Sequence, residues 1–310
     1  MVQVWEPRTA RSPSLGTTVP KTNTIRSPMS DLKLPLPDFE QPPVVEVAIS
    51  LQFMPLESIR SSHFGLLWNV FRKQGFSRTE DHGELAPAFE DLSATRPVTV
   101  GVRLQTFDDA PPLPRVWFLN QDKNELLQIQ RDRLIVNWRQ GINAEPYPRY
   151  VAIIERFRAA VKLFADFANL EQVGEIVPTQ CEITYVNHLQ AGLGWENHSE
   201  IDKVVTTWRN ISSDGFLPLP EDVNFAARYR MVDKTGNAVG RLHVNFQPAN
   251  RSADHRPIFI MNLTARGKPE PADMTGVFQL FDREHEWIVR GFASLTSTTM
   301  HRLWRRKNGN

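Results

Sequence analysis

The chain has 310 residues, 41% hydrophobic and 23% charged, a globular composition unlike that of a collagenous, wholly disordered or membrane-embedded protein. Its 36 basic and 35 acidic side chains leave a formal charge of +1, so electrostatic recognition must come from a local patch and not from the field of the whole molecule. A single cysteine, Cys181, excludes an internal disulfide and a multi-cysteine zinc cage, and points to a reducing, cytoplasmic setting.

Residues 1–40 contain many Pro, Ser and Thr and no apolar periodicity, so they bury too little surface to offset the entropy of ordering and read as a disordered tail. Arg8, Arg11, Lys21 and Arg26 face a single acid, Glu6, within the first 30 residues, but no apolar run of signal-peptide length follows them. Met29 followed by Ser30-Asp31-Leu32-Lys33 reads as a start, with residues 1–28 as an upstream extension. No apolar run approaches the ~20 residues needed to cross a bilayer, so no membrane partner is expected. At the other end the segment 301–310 is basic through Arg302, Arg305, Arg306 and Lys307 and reads as a solvated end, with 305–310 as a basic tail.

Between these ends the periodicity gives elements in order. Val45, Val47, Ile49, Leu51 and Phe53 alternate with Glu46, Ser50 and Gln52, the pattern of a half-buried strand. Ile59, Leu66, Leu67, Val70 and Phe71 fall at helical spacing, and Gly75 stops that helix. Strands are predicted over 98–107, 115–119, 125–130 and 133–139, separated by Pro111, Pro112, Pro114 and the turn near Asp122. Pro148 opens a helix whose stripe is Val151, Ile154, Phe157, Val161, Phe164 and Ala168.

The order then repeats, with strands at 181–189, 223–232, 239–246 and 258–266, a short helix near 200–208 and a long helix from about Asp273 to Phe292. Short turns such as Lys234-Thr235-Gly236-Asn237 force antiparallel neighbours, because a parallel pair needs a long crossover. The fold class is therefore α+β: two tandem units, 41–172 and 173–304, each an antiparallel sheet packed on one face by a long helix. The layout resembles helix-grip and TATA-binding-protein-like folds, a likeness that carries no function.

If the apolar side of each strand lies under its helix, the alternate side chains form a second, polar face. The second unit places Glu182, Thr184, Arg228, Arg230, Arg241, His243, Asn245, Gln247, Asn262, Thr264 and Arg266 there; the first places Gln52, Arg103, Gln105, Gln128, Gln130, Arg133, Asn137 and Arg139. Guanidinium groups with amide neighbours and little acid suit a phosphate, a carboxylate or a polar partner, which such forks bind bidentately. Plain solvation of a one-sided sheet is the simplest alternative. Tyr185, Tyr229 and Trp138 fall in phase with the apolar positions, which weakens single-stranded nucleic acid as the ligand.

Catalytic signals are sparse. Asp282-Arg283-Glu284-His285-Glu286 sets a histidine beside acids, but His285 shares a helical stripe with Phe281, Ile288 and Phe292 and so reads as a buried, hydrogen-bonded residue, with Asp282 and Glu286 on a neighbouring face. No His-Glu-x-x-His pair occurs, and His301 lies too far along to share one helical face. Cys181 lies in the apolar phase of its strand, as an inert core thiol does. Gly192-Leu193-Gly194 lacks the rest of a dinucleotide loop, there is no phosphate-binding Gly-Lys-Ser/Thr loop, and Asn197-His198-Ser199 is a glycosylation triplet without consequence in a cytosolic protein.

Pro42-Pro43-Val44-Val45-Glu46-Val47, Trp138-Arg139 with Tyr147-Pro148-Arg149-Tyr150, Tyr185-Val186-Asn187, and His285-Glu286-Trp287-Ile288-Val289 followed by Phe292, Leu295-Thr296, His301 and Trp304 together resemble a sporadically distributed, uncharacterised bacterial protein family. The likeness spans about Pro42 to Trp304, and departs from the pattern at Arg305, where a glycine is expected. It implies a bacterial, cytosolic protein, is compatible with a defence or mobile-element setting, and supplies no reaction.

The expectation from sequence is a non-enzymatic binding or assembly module using Arg139, Arg149, Arg228, Arg230, His243 and Arg266 to hold an anionic ligand or a protein partner, including a second copy of the chain, with nucleic acid as a further candidate. It calls for no cofactor and no metal. The alternative is a metal-assisted hydrolase or nuclease built from His285, Glu286 and His301.

Overall fold

The structure, a computed structural model, describes residues 35–93, 113–141, 145–209 and 215–307. Its centre is strand β1 (Val44–Phe53), whose Val47, Ile49, Leu51 and Phe53 are buried on one face. On one side β1 pairs antiparallel with β5 (Arg133–Arg139), and on the other with β6 (Pro178–Gln190). Adding β2 (Phe76–His82), β3 (Arg115–Asn120), β4 (Glu125–Gln130), β7 (Phe225–Val232), β8 (Ala238–Asn250) and β9 (Pro257–Gly267) gives one nine-stranded antiparallel sheet of order β2-β3-β4-β5-β1-β6-β9-β8-β7. Residues 35–310 form one compact unit.

Register carries the apolar pattern unbroken across the centre. Phe118, Leu127, Val136, Ile49, Ile183, Ala265 and Leu242 are successive cross-strand partners from β3 to β8, and all are buried. Helices α2 (Tyr150–Leu170) and α4 (Met274–Leu295) cover this face. They meet through Phe157 and Phe281, edge to face at 5.1 Å, and through the stacked rings of Tyr150 and His285, 3.9 Å apart. Fully burying a side chain such as Phe157, Phe164 or Phe281 contributes about 1.5–3 kcal/mol, so the two helices and the sheet share one core. The smaller helices are α1 (Ser61–Phe71), α3 (Ile201–Val204) and α5 (Thr298–Leu303). Among the described residues no helix is long and apolar enough to cross a membrane.

Several expectations from sequence are corrected. β2 was not anticipated because Phe-Ser-Arg-Thr-Glu-Asp-His has no apolar alternation; it is an exposed edge strand, held by pairing with β3 alone. In β1 a bulge between Val44 and Glu46 turns Val44, not Val45, toward the core. The stripe of α2 starts at Tyr150 and Ile153, whereas Val151 is 69% exposed. In α1 the core residues are Phe64, Leu67 and Phe71, and Leu66 faces out. The helix expected over 200–208 is one turn, α3, after a 3₁₀ turn at His198–Glu200. The strand expected over 98–107, with Arg103 and Gln105, lies outside the described residues.

The ends of the folded region are tied to each other. Phe39 is buried against Phe292, His301 and Trp304, and its strand-like bridge to Arg306 is extended by Lys307 N–H donating to Asp38 C=O. The described part of the expected tail, 35–40, and the start of the basic tail therefore close one end of the sheet.

Helix α4 begins at a tight junction. Asp273 is its N-cap, accepting a hydrogen bond from Gly276 N–H at 2.9 Å, and a Cβ added to Gly276 would lie 1.9 Å from the Pro271 carbonyl oxygen. Gly276→Ala is expected to displace the start of α4 and cost about 1–3 kcal/mol, read as a lower midpoint in urea denaturation; an unchanged midpoint would show that the junction yields freely.

Candidate functional site

The face of the sheet opposite the helices is polar, as the alternation requires. One row across it runs Gln128, Ile135, Ser50, Glu182, Arg266, Arg241 and Arg230 from β4 to β7. The next row contains Thr184, Thr264, His243 and Arg228. The side of this face formed by β4, β5 and β1 is not open to solvent: Gln52, Gln128, Gln130, Arg133 and Asn137 are all buried.

What covers part of it is the chain's own segment 84–92, laid across the strands. Gln130 on β4 grips both main-chain groups of Leu85, its Oε1 accepting from the N–H and its Nε2 donating to the C=O, each at 3.0 Å. Arg133 on β5 donates to Ala86 C=O at 3.1 Å. Gln52 on β1 accepts from Ala88 N–H at 3.0 Å, and Gln180 on β6 from Glu90 N–H at 3.3 Å. Arg241 and His243 on β8 take the two carboxylate oxygens of Glu90, His243 at 2.7 Å, and Arg241 also donates to Asp91 C=O. Arg230 on β7 donates to Leu92 C=O at 3.3 Å.

Residue number along the strap thus rises in the same order as the strands it crosses. Six inter-strand steps of about 4.8 Å make about 29 Å, while the chain from Leu85 to Leu92 reaches about 24 Å at full extension. The strap is therefore nearly straight, Pro87 suits it, and the long side chains of β7 and β8 span the remainder. Recognition is of two kinds. Amide side chains read the extended backbone irrespective of sequence, and one Arg-His pair reads a carboxylate. Burial opposes ionisation of Glu90, but the hydrogen bonds from His243 and Arg241 outweigh it and hold the carboxyl below the usual glutamate range.

The arginines expected at the site do not all gather. Arg228, Arg230, His243 and Arg266 share the polar face of β7, β8 and β9; Arg266 is paired with Glu182, and Arg228 has no partner among the described residues. Arg139 lies on that face on β5, donating to Lys123 C=O at 2.8 Å, with its guanidinium 6.0 Å from the Trp117 ring. Arg149 is elsewhere, on the helix side before α2, bound to Asp38 at 3.0 Å and to Phe39 C=O at 2.8 Å. Its backbone, at φ 75° and ψ 155°, occupies a region that is essentially glycine's and costs about 1–3 kcal/mol.

Nor do the three residues of the hydrolase alternative meet as a ligand set. His285 Nδ1 shares a hydrogen bond with the Tyr185 hydroxyl at 3.1 Å, Glu286 binds Arg290 at 2.8 Å, and His301 bonds to Thr296 Oγ1 at 2.9 Å and to Arg306. Among the described residues no group of three or more His, Cys, Asp or Glu side chains is placed to hold a metal ion. Burial pushes the His285 ring down to about 4 and the Cys181 thiol well up, so the first is neutral and the second a thiol at neutral pH. No family model, curated protein or solved structure matches the chain, so a functional reading has geometry alone to stand on.

Sequence reasoning missed the strap, because its hold on the sheet is made by side chains up to 153 residues away. The only local signal was acid at Glu84, Glu90 and Asp91 around Pro87, charge of the sign in which the polar face is poor. It also missed Glu284, which faces the sheet from α4, fully buried, with both carboxyl oxygens unpartnered among the described residues. Desolvation raises its pKa well above the usual value. A carboxyl whose folded pKa is raised contributes most below its unfolded pKa, and that contribution is lost as pH rises toward the folded one. Glu284→Gln should therefore match the wild type near pH 4 and gain on it by up to about 1.4 kcal/mol per pH unit above the ordinary glutamate range, measured by urea denaturation across that range. A pH-independent difference would mean that Glu284 is ionised in the folded protein.

Proposed function

We propose that the protein is a non-enzymatic binding module whose polar sheet face receives an extended, acidic segment of a protein partner, in exchange for its own strap 84–92. The observation that carries this reading is the grip of Arg241 and His243 on the Glu90 carboxylate, beside glutamines that hold the strap's main chain. Side chains that read a backbone without regard to sequence, with one charge-specific contact, suit a peptide ligand better than a metabolite. The unpaired Arg228 beside this grip supports an acidic occupant longer than the strap. The same reading takes residues 41–172 and 173–304 as tandem units in the helix-grip manner, with the strap bound across both.

A fluorescein-labelled peptide of residues 83–93 tests it. Glu90→Lys loosens the strap in cis, so this variant should bind the peptide in anisotropy titrations and the wild type should bind it at least ten times more weakly. Adding Arg241→Glu to Glu90→Lys should reduce affinity on the order of 10- to 100-fold, the worth of a hydrogen-bonded charge pair, with circular dichroism verifying the fold. Equal affinity for all three proteins, or no binding by Glu90→Lys, overturns the reading.

A further inference from the structure

The helix side of the sheet holds a cavity of about 360 Å³ between the start of α2 and the middle of α4, within the size range of small-molecule sites. Its walls are mainly apolar, from Phe39, Val44, Leu263, Ile288 and Phe292. The polar residues that line it come from five separate stretches of sequence: Asp38, Tyr147 with Arg149 and Tyr150, Tyr185 with Asn187, His285, and Lys307.

Two of these groups have bonding capacity left over. Asn187 is 2% exposed; its Nδ2 donates to Met261 C=O at 3.0 Å, and its Oδ1 has no partner among the described residues. His285 uses Nδ1 toward Tyr185, and its Nε2 has no partner among the described residues. Tyr147 and Tyr185 continue the chain, hydroxyl to hydroxyl at 2.8 Å. If the hydroxyls donate toward His285, Nε2 carries a free N–H; if the ring donates toward Tyr185, the Tyr147 hydroxyl has a proton to give and Nε2 accepts. Either way the cavity offers one donor together with acceptors that include Asn187 Oδ1.

The buried titratable groups of the lining are neutral. Burial keeps His285 neutral and both phenols protonated, Tyr147 being pushed up to about 12. The cations of the lining, Arg149 and Lys307, are turned to Asp38, at 3.0 and 3.8 Å. An ionised ligand would lose its hydration and meet only charges already paired with one another.

The geometry points to a small-molecule site, separate from the polar sheet face, that takes an uncharged ring bearing a primary amide or lactam, its N–H on Asn187 Oδ1 and its carbonyl oxygen on the donor of the Tyr147-Tyr185-His285 chain. The strained backbone of Arg149, clamped to Asp38 and Phe39 C=O at this cavity, fits a preformed site.

The test uses the full chain and four probes of similar shape: benzamide, benzoate, benzamidine and toluene, titrated while the His285 ring signals are followed by NMR. Benzamide should saturate and shift His285, and should bind at least ten times more tightly than each of the others. Asn187→Leu should weaken benzamide about tenfold. Val289→Trp, which fills the cavity from α4 without touching its polar groups, should abolish binding while the melting curve shows a folded protein. Benzoate or benzamidine binding as tightly as benzamide, no binding by any probe, or benzamide binding that survives Val289→Trp would each overturn the assignment. The strap peptide titration is unaffected by any of these results.

Discussion

The antiparallel pairing of β1 with β6 is the constraint on which the rest depends. Ile49 opposite Ile183 and Ser50 opposite Glu182 keep the two halves in phase, so the apolar side of one continues as the apolar side of the other. Because the side-chain period in a strand is two, a slip of one residue at this seam would send the buried row of one half into the polar row of its neighbour. With the register held, the sheet has a dry side long enough for two helices and a polar side long enough for an extended peptide.

Those two sides do different physical chemistry. On the polar side, charge is tolerated because it is paired: Glu90 between Arg241 and His243, Glu182 with Arg266. On the helix side, polar groups survive by being neutral and linked, as in the hydroxyl chain from Tyr147 through Tyr185 to His285. Glu284 is the exception, a buried acid with no partner among the described residues, and it accepts a proton instead. Paired charge thus lies on one side of the sheet and neutral, linked polar groups on the other.

The strands with clear alternation were legible residue by residue. The spans 125–130 and 133–139 were read from sequence as they stand in the structure, and Gln52, Gln130, Arg133, Arg241 and His243 were sorted to the face opposite the helices, although the first three are buried there. Local pattern failed where tertiary contacts replace it. β2 has no apolar face because only β3 and solvent adjoin it. Val44 goes inward at a bulge, and Tyr150 lies inward because it stacks on His285 from another helix. For the candidate site, the basic residues were visible as a set, but not that Arg149 leaves it or that Glu90 fills it.

By itself the sequence determined which side chains lie on which side of the regularly alternating strands and where the long helices run, because those follow from periods of two and 3.6 residues that a local window contains. Only the tertiary structure decided that nine strands form one sheet, that residues 84–92 cross its polar side, and that Tyr147, Asn187 and His285 line one cavity. These juxtapositions join residues 38 to about 150 positions apart, and the pairing of such distant groups is set by the geometry of the assembled sheet and not by any pattern near them in the chain.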